Sequence, residues 1–192
     1  VKSAEELELM HAACGFLEAG MAAAVDCVKP GVKEVEVLAE ADYAMRKAGS
    51  EGPSFRMQVL SWPKQLLAHP FAGDTVIENN QPVVIHLGAT CRGYAAKMCR
   101  TVYLGDIPEE TLGIHATLLA ALHGGARALK PGASAGEVYS RIFSVVEKAG
   151  YGKAFLDVAG YGVGIRQSEF YPVIGKDLPH VLQKDMVVDL LL

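Results

Sequence analysis

Long apolar runs are missing from this chain. Its most hydrophobic stretch, Leu112 to Leu129, is broken by His115, His123, several glycines and Arg127, whereas a membrane span needs about 18 apolar residues in a row. No span is expected, and no signal-peptide pattern opens the sequence. A basic excess is missing too: 18 Lys and Arg stand against 22 Asp and Glu, a net charge of −4. That excludes the basic stripe of a nucleic-acid backbone binder. Glycine (20) and proline (9) are too few and too aperiodic for a fibrous protein. The four cysteines, Cys14, Cys27, Cys91 and Cys99, include no CxxC pair, so reduced thiols in a cytoplasmic protein are expected. Cys91 and Cys99 would bond only if a hairpin set them opposite each other. What is present is a globular composition. Of 192 residues 51 % are apolar and 21 % charged, which excludes a disordered chain. A chain this long buries about 70 % of its unfolded surface, so one domain over residues 1–192 is expected.

An internal duplication organises the sequence. Lys29-Pro30-Gly31 recurs as Lys130-Pro131-Gly132, Glu36-Val37 as Glu137-Val138, and Lys47-Ala48-Gly49 as Lys148-Ala149-Gly150. All share one offset of 101 residues without a gap, the mark of a repeated unit. Each copy follows an Ala-rich segment that reads as a helix. In the first, Ser3 and Glu6 fit a capping box, and Leu7, Met10, Cys14, Leu17 and Met21 repeat at helical spacing. The second starts near Asp106 with Pro108 in its first turn. The Lys-Pro-Gly turns stop these helices. A second helix then begins in each copy, with a capping box at Ser134 and Glu137, and ends at Gly49 or Gly150.

Strand-like segments follow each helix pair: Arg56–Ser61, Pro82–Leu87 and Gly93–Leu104 in the first half, Val158–Ile165 and Met186–Leu192 in the second. The pattern predicts an α+β fold of two ααβ halves, about 1–105 and 106–192, around a shared curved sheet, with the site at their junction. Because residue 1 is valine and the chain stops inside an apolar strand, trimming at the start and further residues after Leu192 are expected.

Several residues can carry chemistry. Gly160-Tyr161-Gly162-Val163-Gly164 is GxGxG rather than GxGxxG, so a strand approached closely by other backbone is expected instead of a dinucleotide loop. His86 ends an apolar run, where a lone histidine on a strand is usually a structural one. Lys97 lies in an apolar hairpin arm and reads equally as a solvated lysine. His69 precedes a proline turn, flanked by Leu66-Leu67 and Phe71, whose apolar packing is expected to fix it as an acid or base. Glu169 lies between apolar neighbours, which would raise its pKa. His11, His115, His123 and His180 read as structural or surface residues. His86, Asp157, Glu169 and Asp189 are the strand-borne candidates for a metal, a poor set beside a lysine.

Lys2 to Leu7, Lys29-Pro30-Gly31, Val83 to Ala89, Gly93-Tyr94, Arg100 to Gly105 and Ala159 to Ile165 resemble the pita-bread-fold peptidases. This family includes methionine aminopeptidase, Xaa-Pro aminopeptidase, Xaa-Pro dipeptidase and creatinase. The resemblance runs along the whole chain and implies the pita-bread fold, an internal duplication. It also implies a two-metal site of two Asp, one His and two Glu. Those positions fall here on His86, Lys97, Tyr161 and Leu191, with the last beyond Leu192, so none is retained. A further pocket histidine falls on Ser168, with Glu169 kept after it, and Asp157 stands where the strand usually begins with His. His69 is the retained pocket residue, matching a substrate-contacting histidine of the peptidases and the acid/base residue of creatinase.

The expectation is therefore a metal-free, degenerate peptidase homologue without a cofactor, binding a peptide or small metabolite. Catalytic candidates are His69 and Glu169, and substrate-binding candidates are His86, Lys97, Tyr161 and Ser168. A metal-independent creatinase-like C–N hydrolase is the alternative, followed by a metallopeptidase with a rearranged site. No nucleic-acid or membrane partner is expected, and a homodimer is left open.

Overall fold

The computed structural model describes residues 1–67 and 69–192. Its elements run α1 (Ala4–Cys27), α2 (Glu34–Ala48), β1 (Gln58–Ser61), β2 (Gln81–Cys91), β3 (Tyr94–Leu104), α3 (Glu109–Ala128), α4 (Ala135–Lys148), β4 (Val158–Gly162), β5 (Glu169–Gly175) and β6 (Val188–Leu190). Single 3-10 turns lie at Lys64–Leu66 and Gly152–Ala154. Two compact units result, one of residues 4–107 and 165–167, the other of 1–3, 108–164 and 168–192. The α+β class and the duplicated helix pairs are as expected, and the strands hydrogen-bond as two three-stranded sheets, one in each unit.

In the first unit the sheet is antiparallel in the order β1-β2-β3. Along β2, Val83, Ile85, Leu87 and Ala89 are fully buried against Leu17, Met21, Val37 and Met45 of the two helices. The buried stripe of α1 is Met10, Ala13, Leu17, Gly20, Met21 and Ala24. Cys14 lies outside this stripe and is exposed. At Gly20 the two helices approach closely, since an added Cβ would collide with the Met45 side chain of α2. The Tyr94 hydroxyl, at the β2–β3 turn, donates to the Glu6 carboxylate at 2.6 Å. Binding its proton this way holds the Tyr94 pKa above the usual tyrosine range, and burial adds to the rise.

In the second unit the order is β5-β4-β6. Its core joins Ala121, Val138, Ile142 and Val146 of α3 and α4 to Ala159 and Ile174 of the sheet. β5 had no clear sequence signal, because Pro172 interrupts it and bulges shift its register with β4. Pro is tolerated there because β5 is an edge strand. Pro108 sits just before α3 rather than inside its first turn, since its ψ of 142° is extended. Ser134 and Glu137 form the expected capping box, and the two hydrogen bonds to Ser134 hold the Glu137 carboxyl below its usual range. The four cysteines are free thiols. Cys99 lies opposite His86 and Cys91 opposite Tyr94, so the hairpin does not pair the two.

The duplication extends to the backbone hydrogen bonds. Gly31 N–H donates to the Ile77 carbonyl (2.9 Å), Ile77 N–H to Val32 (2.8 Å) and Glu34 N–H to Thr75 (3.0 Å). In the second copy Gly132 donates to Leu182 (2.8 Å), Leu182 to Ala133 (2.9 Å) and Ala135 to His180 (2.7 Å). Gly31 and Gly132 have φ of +92° and +90°, so both turns need a residue without a Cβ strain penalty. The turn residues keep the 101-residue offset, while their partners are shifted by 105.

Candidate functional site

Strand register decides which candidates meet. On β2 the residues between the buried ones face the opposite side of the sheet, which places Val84, His86, Gly88 and Thr90 on one face. Gln58 of β1 and Cys99 of β3 flank His86, and Lys97 lies opposite Gly88. His86 and Lys97 are therefore diagonal neighbours on one face. The Phe55 ring packs on the His86 imidazole, centroids 4.4 Å apart and tilted by 50°. Gly88 makes room for this cover: a Cβ there would collide with the Ser54 hydroxyl and the Phe55 ring. The face carries an imidazole, an ammonium, a thiol and an amide, and none of its described residues on these three strands is acidic.

His69 lies in the segment between β1 and β2, exposed and with φ of +49°. Its neighbour Ala68, part of the motif around it, lies outside the described residues. The apolar packing expected to fix this histidine is not there. Leu66 is 70 % exposed and Leu67 62 %. Polar contacts hold the chain instead. Gln65 Nε2 donates to the carbonyls of Leu60 and Pro82, and Gln58 Nε2 to that of Pro70. The Arg56 guanidinium lies over the Phe71 ring, and Lys64 reaches the carboxylate of Glu34.

In the second unit Tyr161 of β4 stands between Val173 of β5 and Asp189 of β6. Ser168 precedes β5, and Glu169 opens it opposite Gly162. Glu169 does not have the apolar surroundings expected from its sequence neighbours. Phe170 is 83 % exposed, and the Glu169 carboxylate pairs with the Lys2 ammonium at 2.8 Å, the lysine side chain being 8 % exposed and the glutamate's 30 %. This carboxylate lies against β4: a Cβ on Gly164 would collide with it, and one on Gly160 would collide with the Asp189 carbonyl. The glycine run is thus the closely approached strand that its spacing predicted. Lys2 carries no such signal in the sequence, since its partner is 167 residues away. Asp157 is exposed at the start of this sheet. His180 packs against Tyr171, centroids 4.8 Å apart and the rings tilted by 53°, in keeping with a structural role.

Donor chemistry tests the fit of a metal pair. Two adjacent divalent cations need carboxylates to bridge and neutralise them, and an ammonium offers no lone pair. Among the described residues no three His, Cys, Asp or Glu side chains are grouped as a metal ion requires. The face built by β1, β2 and β3 does not fit such a pair.

Residues 8–190 match the pattern of metallopeptidase family M24. The chain is 33 % identical over 188 residues to an Xaa-Pro dipeptidase of Pyrococcus furiosus, a match covering 98 % of this chain and 54 % of that protein. Its fold superposes on the prolidase from Pyrococcus furiosus with a TM-score of 0.93, covering 98 % of this chain and 56 % of the prolidase. For an X-Pro aminopeptidase from Thermotoga maritima the TM-score is 0.91 at 30 % identity, covering 98 % and 53 %. The chain spans about half the length of the curated relatives it matches.

Proposed function

Because the chain belongs to metallopeptidase family M24, with the pita-bread fold of its relatives, we propose that it is a metal-free member that binds a peptide or small metabolite. The observation that supports this reading is the lysine on the β2–β3 hairpin. Lys97 shares its strand face with His86, and the resemblance puts metal-binding aspartates at both positions. A fixed positive charge there opposes a cation and favours a carboxylate. In this reading Lys97 and His86 receive the carboxylate end of a ligand, and His69 contacts it from the loop of the same unit. The creatinase-like alternative gives Glu169 a catalytic part. The ion pair with Lys2 gives that carboxylate a cation already and favours binding over proton transfer.

Two results are expected from the purified protein. Elemental analysis finds no stoichiometric manganese, cobalt, zinc or iron after dialysis. About two retained equivalents per chain defeat the proposal. Calorimetry with Gly-Pro as the probe finds binding without hydrolysis, and His69→Ala weakens it by about tenfold, or ~1.4 kcal/mol. Hydrolysis abolished by a chelator overturns the metal-free reading. Unchanged affinity in a folded His69→Ala variant removes His69 from the site.

A further inference from the structure

Glu34 is the first residue of α2 and is fully buried. Buried carboxylates survive only when paired and hydrogen-bonded, and this one is surrounded by donors. Oε1 accepts from the Ser61 backbone N–H at 2.8 Å and from the Ser61 hydroxyl at 2.7 Å. Oε2 accepts from Lys64 Nζ at 2.6 Å and from the Gly73 N–H at 3.2 Å. One carboxylate thus ties the end of β1, the 3-10 turn before His69 and the backbone after it.

The repeat supplies an internal control. The position equivalent to Glu34 is Ala135, equally buried. Its backbone N–H bonds the His180 carbonyl as that of Glu34 bonds Thr75. A methyl group therefore satisfies the helix start in the other copy, and the duplicated fold does not require an acid there. What the first copy has in addition is the segment carrying His69, whose apolar residues Leu66 and Leu67 are exposed and do not anchor it. We infer that Glu34 is a positioning residue that fixes the chain on both sides of His69 and so sets the direction of its imidazole toward a ligand. The inference rests on the proposed role of His69 as a ligand contact.

Glu34→Gln tests it, with hydrogen exchange and Gly-Pro binding measured on the full chain. Backbone amides at 61–67 and 69–73 are expected to exchange at least tenfold faster, while those of β2 and β3 keep their protection. Gly-Pro affinity falls to the level of His69→Ala, and the double variant is no weaker than His69→Ala alone. Additive losses in the double variant show that Glu34 acts elsewhere and overturn the inference, as does unchanged exchange in both segments. If His69→Ala binds Gly-Pro like the parent, the ligand reading fails, and the exchange result alone decides whether Glu34 orders the segment. Should Glu34→Gln not fold, Lys64→Met removes one donor while leaving the buried acid its other three. The expected result is then faster exchange confined to the same amides, and its absence overturns the inference.

Discussion

Ile142→Ala is expected to lose about 2–5 kcal/mol of stability. Ile142 is fully buried in the core shared by α3, α4 and the second sheet. Its side chain packs directly on Gly125 of α3, where an added Cβ would lie 2.6 Å from both Cγ1 and Cδ1 of the isoleucine. With no side chain on Gly125, α3 already lies as near the isoleucine as its backbone allows, so the helices cannot close further to fill the space left by truncation. A cavity remains, and its walls lose their dispersion partners. Urea denaturation reads the loss directly. The reverse change, Gly125→Ala, overfills the same contact and is expected to cost about 1–3 kcal/mol. The double variant carries the sharper test. Removing the isoleucine branches opens the room that the new methyl needs, so the two losses should fall short of adding by about 0.5–3 kcal/mol. Strict additivity would mean that Ile142 and Gly125 do not share a contact.

Lys2→Met is expected to cost about 1–3 kcal/mol at neutral pH. Removing one partner of a fully buried ion pair costs about 3–5 kcal/mol. Here the Glu169 side chain is 30 % exposed, so water recovers part of its solvation and the figure is reduced. Methionine keeps the apolar stem of the lysine and isolates the loss of charge. The carboxylate is left against the backbone of Gly162 and Gly164 without its cation. Lys2→Met/Glu169→Gln should then regain part of the loss, because a neutral amide there needs no counter-charge. Thermal unfolding of the two single variants and the double decides it. Two single variants both within about 0.5 kcal/mol of the parent, as ordinary surface changes are, would reduce the pair to a surface contact.

The parts of the fold legible in the sequence are those governed by local chemistry. The Lys-Pro-Gly turns, the Ser134–Glu137 capping box and the glycines after α2 and α4 each act within a few residues, so the repeated helix pairs can be read directly. β5 cannot, since Pro172 argues against a strand and only its place at a sheet edge admits it. Nor does helical spacing choose between Cys14 and Ala13 for the inner face of α1, since both lie three or four residues from Met10 and from Leu17. At the site, strand alternation together with hairpin register brings His86 and Lys97 to one face, and both stand out in the sequence. Lys2 and Glu34 do not. Lys2 depends on a partner far along the chain. Glu34 has the sequence context of an ordinary acid in the first turn of a helix, and only its four donors in the folded chain set it apart. The apolar neighbours of His69 and Glu169 mislead for one reason: sequence adjacency says nothing about which way a loop side chain turns.

The change of offset from 101 to 105 residues between the paired halves has an implication for insertion tolerance. Both copies close the same backbone ladder, yet the second reaches it with four more residues of chain between Gly150 and His180 than the first uses between Gly49 and Thr75. The duplicated halves are therefore a natural length experiment. β1 and β4 still keep the 101-residue offset, so the extra chain was absorbed after β4 and before His180 without moving the contacts on either side, and loop-closure cost rises only slowly with length. In the second copy that interval, from Gly162 to His180, holds the exposed Lys176 and Asp177 as well as Ser168 and Glu169. A tag or reporter segment placed at the exposed Lys176-Asp177 turn enters an interval whose length differs between the two copies.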